Sequence, residues 1–446
     1  MSSLKDTLKL SFIVTLLVLL VAAAFVIGYQ VGGGNKDDSS QATEQVLSTQ
    51  VKPTAIVTPS EAETSSSEES STTPSIPEAT QELEPQDIQE PGSEEQNLHV
   101  LMEVWDLIES DFYGEIPSPE DRVYGAIRGM LETLDDDYTS FLEPTIAEIQ
   151  RTDASGSFEG IGALVRMNDE GILEIVRPFE DQPADKAGML AGDRVLAVDG
   201  ESIVGYGIYE AITLIRGPEG EEVVLTVQRE VGSEPFDVTI VRARIDIPIV
   251  ESEMLEDNIG YVSLFEFSSP ATAQLEEAIE ELVDQGATAL VFDLRDNPGG
   301  YLDQAVYVSD LFLDEGIVLI ERISDGRERQ FDSTDQGLAQ EIPLVILVNG
   351  GSASASEIVA GAIQDRERAT LIGETTFGKG SVQLPHTLSD GSELRVTIAR
   401  WFTPNDRAIH GEGLMPDIEV LLTPEDAEAG LDPQLDRAIE YLQTGQ

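Results

Sequence analysis

The chain has 446 residues, long enough for two or three domains. It carries 26 Lys and Arg against 85 Asp and Glu, a formal charge of −59 with a sequence pI near 4.1, and that charge argues against nucleic acid as a partner because phosphates are repelled. No cysteine is present, which excludes disulfides, cysteine nucleophiles and thiolate metal sites.

At the N-terminus, Lys5 and Lys9 precede eighteen uncharged residues, LSFIVTLLVLLVAAAFVI, from Leu10 to Ile27. As a helix this run is about 27 Å long, close to the hydrocarbon thickness of a bilayer. No small-x-small cleavage site follows it, since GYQVGGG comes next. Residues 1–34 are therefore expected to be an uncleaved single-pass membrane anchor, with a cleaved signal as the alternative. Either way the flanking lysines stay inside and the remainder is exported, to the cell surface or, if cleaved, to a secreted or periplasmic location. Residues 35–95 hold two lysines against fourteen acidic residues and no aromatic. Such a stretch cannot bury enough apolar surface to offset its ordering entropy, so a disordered acidic linker is expected.

Order is expected from about residue 96. In NLHVLMEVWDLIESDFYG, Leu98, Leu101, Val104, Trp105, Ile108 and Phe112 recur at three- and four-residue steps, one apolar helical face. A second helix starts at Ser118 and Pro119, a good cap and first-turn pair. These helices predict a small N-terminal cap over 96–150 and a candidate homodimer contact. From 151 to 242 short period-two stretches (GILEIVRPF, DRVLAVDG, EVVLTVQRE, FDVTIVRARI) predict strands, with one short helix ending at Gly217. From 243 to 446 strands alternate with helices, the order of an α/β core, and DPQLDRAIEYLQ closes the chain as a helix.

Four stretches could carry chemistry. In VFDLRDNPGGYLDQA a buried strand ends and two glycines precede a helix, which suits an anion or a developing oxyanion. A plain strand-to-helix turn uses the same residues. In NGGSASASEI (Asn349 to Ile358) three serines lie where a strand becomes a helix. A helix N-terminus favours developing negative charge, but Ser354 stands three residues before Glu357, so a capping box fits equally well. A serine nucleophile needs a base. The histidines are His99, His386 and His410, and Lys379 lies in the glycine-flanked loop GETTFGKGSVQ. Lysine is a base at neutral pH only when its environment lowers its pKa. A surface loop lysine is the plainer reading. Finally, SFEGIGALV places Gly160 and Gly162 around Ile161 just before a strand, where adjacent N–H groups could hold a terminal carboxylate while the strand edge pairs with a peptide. His-Glu-x-x-His is absent, and neither metal nor cofactor is expected.

Taken together and in order, LDDDYTSFL, SFEGIGA with AGMLAGDRVLAVDG, DLRDNPGGYL, NGGSASASEIVAGAIQD, GETTFGKGSVQ and IHGEGLMPDIEV resemble the C-terminal processing peptidases, also called tail-specific proteases, over about 97–442. The resemblance implies a ClpP/crotonase-like α/β peptidase core with an inserted PDZ domain. It implies Ser354 as nucleophile, Lys379 as general base and Gln383 as the residue that orients the lysine. It also implies an oxyanion hole from the backbone N–H groups of Ala355 and Gly300, with Gly299 as alternative. The Gly160-Ile161-Gly162 loop would bind the C-terminal carboxylate of a protein or peptide substrate, and Arg216 would link the PDZ domain to the active site. Two other classes compete: a PDZ scaffold on a degenerate hydrolase core, and a crotonase-like acyl-CoA enzyme, which explains neither the PDZ stretch nor the export segment.

Overall fold

The structure, a computed structural model, describes residues 94–445 apart from Asp169. The Leu10–Ile27 segment and residues 35–93 of the acidic linker lie outside the described residues. Among the described residues no helix is long and apolar enough to cross a membrane. Two units are present, residues 94–121 and 122–445.

The first unit is helix α1 (Glu94–Asp111) and the start of α2 (Pro119–Glu132). The Ser118 hydroxyl accepts the Asp121 N–H at 3.0 Å, the cap that the Ser-Pro pair predicts. The apolar stripe of α1 stays exposed at Leu98, Leu101, Val104, Ile108 and Phe112.

In the second unit the remainder of α2 buries Tyr124 against Phe141, ring centroids 5.1 Å apart. A short strand β1 (Ser140–Leu142) and helix α3 (Pro144–Ala154) follow. The β-rich module comprises β2 (Ser157–Gly160), β3 (Ala163–Met167), β4 (Leu173–Pro178), α4 (Pro183–Lys186), β5 (Arg194–Val198), β6 (Glu201–Ser202), α5 (Ile208–Ile215), β7 (Glu222–Gln228), β8 (Phe236–Val241) and β9 (Ala243–Asp246). Its sheet runs β3-β4-β5-β7-β8 with β6 beside β5, and β2 pairs with β9. Strand β7 shows why the sequence folds this way: Val223, Leu225 and Val227 alternate into a core with Ile175, Val195 and Ile240. Strand β3 is an open edge.

The α/β core contains β10 (Val250–Met254), β11 (Ile259–Leu264), α6 (Ala271–Asp284), β12 (Ala289–Asp293), α7 (Leu302–Phe312), β13 (Gly316–Ile323), β14 (Glu328–Ser333), β15 (Leu344–Val348), α8 (Ala355–Asp365), β16 (Thr370–Gly373), β17 (Ser381–Thr387), β18 (Glu393–Phe402), β19 (Ile418–Glu419), α9 (Pro424–Ala429) and α10 (Pro433–Thr444). One sheet has the order β10-β11-β12-β15-β16-β19 and is parallel from β11 onward. Its inner strands β11, β12 and β15 read as largely apolar runs because both faces are covered. Val262, Leu264, Leu290, Phe292, Ile346 and Val348 pack with residues of α6, α7 and α8, while Tyr261, Val291, Val345, Leu347 and Ile372 pack with Ala438 of α10. The second sheet, β1-β18-β13-β14 with β17 on β18, is antiparallel. The carboxyl ends of β11, β12, β15 and β16 face the same way, so the loops that follow them converge at one edge, where open α/β sheets place their sites.

Candidate active site

The loops after β12, β15 and β16 each carry a stretch singled out above. After β12, the chain turns through Asp293 to Gly300. After β15 comes the serine run. The two are stitched together by backbone-directed bonds: the Ser352 hydroxyl donates to Leu294 O at 2.7 Å, the Ser356 hydroxyl to Asn297 O at 2.8 Å, and the Ala353 N–H to Asn297 O at 3.0 Å. Ser352 and Ser356 are fully buried. The outer serines are thus committed to holding the turn. Ser354 is the N-cap of α8, but it has no side-chain cap hydrogen bond. Only the reciprocal half of the cap operates, with the Glu357 carboxylate accepting the Ser354 N–H at 2.8 Å. Ser354 also sits at φ 55°, ψ −111°, a conformation that costs roughly 1–3 kcal/mol for a side-chain-bearing residue. A strained serine on a sharp strand-to-helix turn presents its hydroxyl outward, as a nucleophile requires.

Two backbone donors are left over beside it. Ala355 is the first helical residue of α8, and an N–H there has no intrahelical acceptor. In the facing turn the Gly299 N–H donates to Asn297 Oδ1 at 2.9 Å. The Gly300 N–H is the free donor of that turn among the described residues. Gly299 has a different duty. At φ 100° it lies so close to the serine turn that an added Cβ would stand 2.8 Å from both Ala355 N and Ser354 Cβ. Phe267, in the loop after β11, pins the same turn from the other side by donating to Gly299 O at 2.9 Å and accepting from Tyr301 N–H at 2.8 Å.

The loop after β16 brings Lys379. Burial and the nearby Arg395 guanidinium push the lysine below the usual range, and the Glu357 carboxylate opposes them. Glu357 is fully buried and grips both loops. Its Oε2 accepts the Ser354 and Lys379 N–H groups at 2.8 and 2.9 Å, and its Oε1 accepts the Gly378 N–H at 2.7 Å and the Thr376 hydroxyl at 2.6 Å. Burial raises this carboxyl and the four bonds pull it down, leaving it above its ordinary value. The sequence pointed to Glu357 only as a cap. A buried acid three residues after the nucleophile candidate was the available signal for this wider role.

Other site residues stand apart. The Lys379 ammonium rests 5.4 Å from the Tyr138 ring centroid, and no hydrogen bond joins it to the Ser354 hydroxyl among the described residues. The Gln383 amide donates to Ser381 Oγ at 2.9 Å and Thr397 Oγ1 at 3.4 Å rather than reaching the lysine. His386 is exposed on β17. His410 accepts from Arg400 Nη1 at 2.9 Å and lies against Tyr138, so neither histidine partners Ser354. Among the described residues no cluster of acids and histidines could hold a metal ion.

In the β-rich module, the Ile161 and Gly162 N–H groups have no acceptor among the described residues, while Ile161 O takes the Ala184 N–H at 2.8 Å. Gly160 ends β2, and Gly162 has φ 72° with Gln182 so near that a Cβ would stand 2.5 Å from it. The two donors stand adjacent at the head of the open edge β3, an arrangement that suits an anion. Arg216 lies 2.8 Å from Asp153 and stacks 4.1 Å from the Phe158 ring centroid.

Residues 258–420 match the model of peptidase family S41, 174–229 that of a PDZ domain, and 59–145 that of the activating protease CtpB N-terminal domain. The chain is 39% identical over 325 residues to the carboxy-terminal processing protease CtpA of Bacillus subtilis, covering 72% of this chain and 68% of that protein. It is 41% identical over 316 residues to a carboxy-terminal-processing protease of Bartonella bacilliformis, covering 69% and 71%. A solved Bacteroides fragilis structure classed with the S41 proteases superposes with a TM-score of 0.50 at 18% identity, over 75% of this chain and 93% of that one, and bears on the fold alone.

Proposed function

This chain belongs to the S41 carboxy-terminal processing proteases, serine-type enzymes with a PDZ domain, and from that membership we propose that it cleaves peptide bonds with Ser354 as nucleophile and Lys379 as general base. Neutral Lys379 takes the Ser354 proton as Oγ bonds to the scissile carbonyl carbon. The Ala355 and Gly300 N–H groups receive the oxyanion. Collapse breaks the C–N bond, the lysine proton leaves with the amine, and an acyl-enzyme remains. Water then attacks the ester, giving its proton to Lys379, and Ser354 regains a proton as the acid departs. Gln383 turns from Ser381 and Thr397 to orient the lysine. The Gly160-Ile161-Gly162 loop holds the carboxylate of a substrate C-terminus, the β3 edge pairs with its backbone, and Arg216 couples that capture to the core.

The observation that carries this reading is the division of labour in the serine run. Two hydroxyls are spent on carbonyls, and the third stands strained and uncapped on a carboxylate that also grips the lysine loop. We expect Ser354→Ala and Lys379→Ala to lose hydrolysis of a fluorogenic peptide by at least about 10³-fold, in line with removing a nucleophile or its base. His386→Ala and His410→Ala should keep most of it. A Lys379→Ala enzyme that still turns over, with a dead histidine variant, would remove the Ser-Lys mechanism.

Residues 1–34 anchor the chain in a membrane with the catalytic part outside the cytoplasm, and the exposed α1 stripe joins two copies. The uncharged Leu10–Ile27 run and the exposed Leu98 to Phe112 face support these two statements. Release of the full chain by alkaline carbonate, or a monomer mass by light scattering, would overturn them in turn.

A further inference from the structure

The fold delivers the LDDDYTSFL stretch, residues 134–142, to the lysine. Strand β1 pairs with β18 through Ser140↔Arg395, Phe141↔Leu394 and Leu142↔Glu393. Just before it, Asp136 Oδ2 accepts the Thr139 N–H at 3.1 Å and the Thr139 hydroxyl at 2.5 Å, and Thr139 Oγ1 accepts the Thr397 N–H at 3.1 Å. Thr397 is the residue that Gln383 also contacts. Fixed at both ends, the loop holds the half-buried Tyr138 ring over Lys379, with Nζ 5.4 Å from its centroid. The edge of the ring is braced by His410, centroids 5.6 Å apart and nearly perpendicular.

An aromatic face attracts an ammonium within about 6 Å and does little for a neutral amine. The ring therefore favours the one protonation state in which Lys379 is useless as a base. The charged neighbours of the lysine are Glu357 on α8 and Arg395 on β18. Around Tyr138 stand Asp136, Asp137, Glu357 and Arg400, with His410 at its edge. Burial and Arg395 drive the proton off Lys379, while Glu357 and the Tyr138 ring retain it.

We propose that Tyr138 is a positioning residue for Lys379: its ring seats the ammonium in the resting enzyme, off the Ser354 hydroxyl, and so sets the pH at which the lysine becomes a base. This rests on the Ser-Lys reading above. It also explains why a stretch on the amino-terminal side of the PDZ domain is carried back to the core by strand β1.

The test is the pH profile of kcat/KM for a fluorogenic peptide, measured on the full chain in detergent with Tyr138→Phe, Tyr138→Trp and Tyr138→Leu. The Phe variant keeps a ring and holds the rising limb at the wild-type pH. The Trp variant, with the stronger ring, moves the limb upward. The Leu variant moves it down by about 0.5–1 pH unit, which makes it about 3- to 10-fold faster than wild type on the acid side of the limb. An unmoved limb in Tyr138→Leu overturns the proposal, and so does a Phe variant that shifts as far as Leu, since the hydroxyl would then be the active part. If Tyr138→Leu does not fold, coincident limbs for Phe and Trp overturn it alone. Lys379→Ala run alongside separates the two readings. Retained turnover there removes the Ser-Lys mechanism, whereas a dead Lys379→Ala with immobile Tyr138 limbs removes the role of Tyr138 and leaves the mechanism intact.

Discussion

Two buried acids flank the serine turn, and burial raises both, but their oxygens are supported unequally. Glu357 has four donors on its two oxygens, so its charge is well supported. Asp296 has an accepting bond from Asn349 Nδ2 at 2.9 Å on Oδ1, and its buried Oδ2 has no partner. Burial pushes Asp296 up to about 6. Its folded pKa thus lies above its unfolded value, so the folded state holds this proton more tightly. The associated stability is present below pH 3.8 and is lost as pH rises through about 6. The shift of about two units corresponds to ~3 kcal/mol. Asp296→Asn removes the buried charge while keeping an acceptor for Asn349. Denaturant melts should find it more stable than wild type by about 2–3 kcal/mol at pH 8 and indistinguishable at pH 3.5. An equal difference at both pH values would mean that packing, and not ionisation, sets the effect. At this scale local pattern left Ser354, Lys379 and the glycine pair as open candidates, and the ordered resemblance of several motifs gave them roles. Glu357 as a clamp was hidden, since its second set of donors comes from residues 376–379 and exists only once β15 and β16 lie side by side.

At the scale of elements, the parallel sheet was legible and the antiparallel one was not. Strands β11, β12 and β15 are apolar on both faces because helices cover both faces. Strands β13, β14 and β18 carry charge inside the fold. Glu321 is 2% exposed and faces Arg329 across the β13–β14 pair at 3.2 Å, and Glu393 is 3% exposed with Arg395 at 2.8 Å. Paired charges at buried positions erase the alternation by which a strand is recognised, although Asp325-Gly326 and Asp390-Gly391 remained as hairpin signals. Strand β1 was beyond local reading for another reason. Three residues have no periodicity, and the strand exists only by pairing with residues some 250 positions later. That is why a region expected to be purely helical supplies a strand, and with it Tyr138 at the lysine.

For the whole molecule, a chain of net charge −59 has to capture an anionic terminus. Long-range electrostatics oppose that encounter, so capture depends on short-range donors. The paired N–H groups of Ile161 and Gly162, proposed above for this role, sit at the head of an edge strand and have no acceptor among the described residues. Three contacts tie the β-rich module and α3 to the core: Arg216 holds Asp153 of α3, Arg177 meets Glu251 of β10 at 3.2 Å, and the Ser269 N–H donates to Ala154 O at 3.0 Å, two residues from the Phe267 that pins the Gly299 turn. If capture serves mainly to raise the local concentration of the scissile segment, its loss should appear in KM and spare kcat. Amidating the C-terminus of a peptide substrate should therefore raise KM by at least about tenfold, the value of one charge-assisted pair of hydrogen bonds. Gly162→Ala should bring the free acid to the level of the amide, because a Cβ there meets Gln182 Cβ at 2.5 Å in a backbone conformation that disfavours side chains. A small acylating probe that bypasses the PDZ domain should still label Ser354 in that variant at the wild-type rate. Equal KM values for acid and amide in the wild-type enzyme would show that substrates reach the serine without their C-terminus being read.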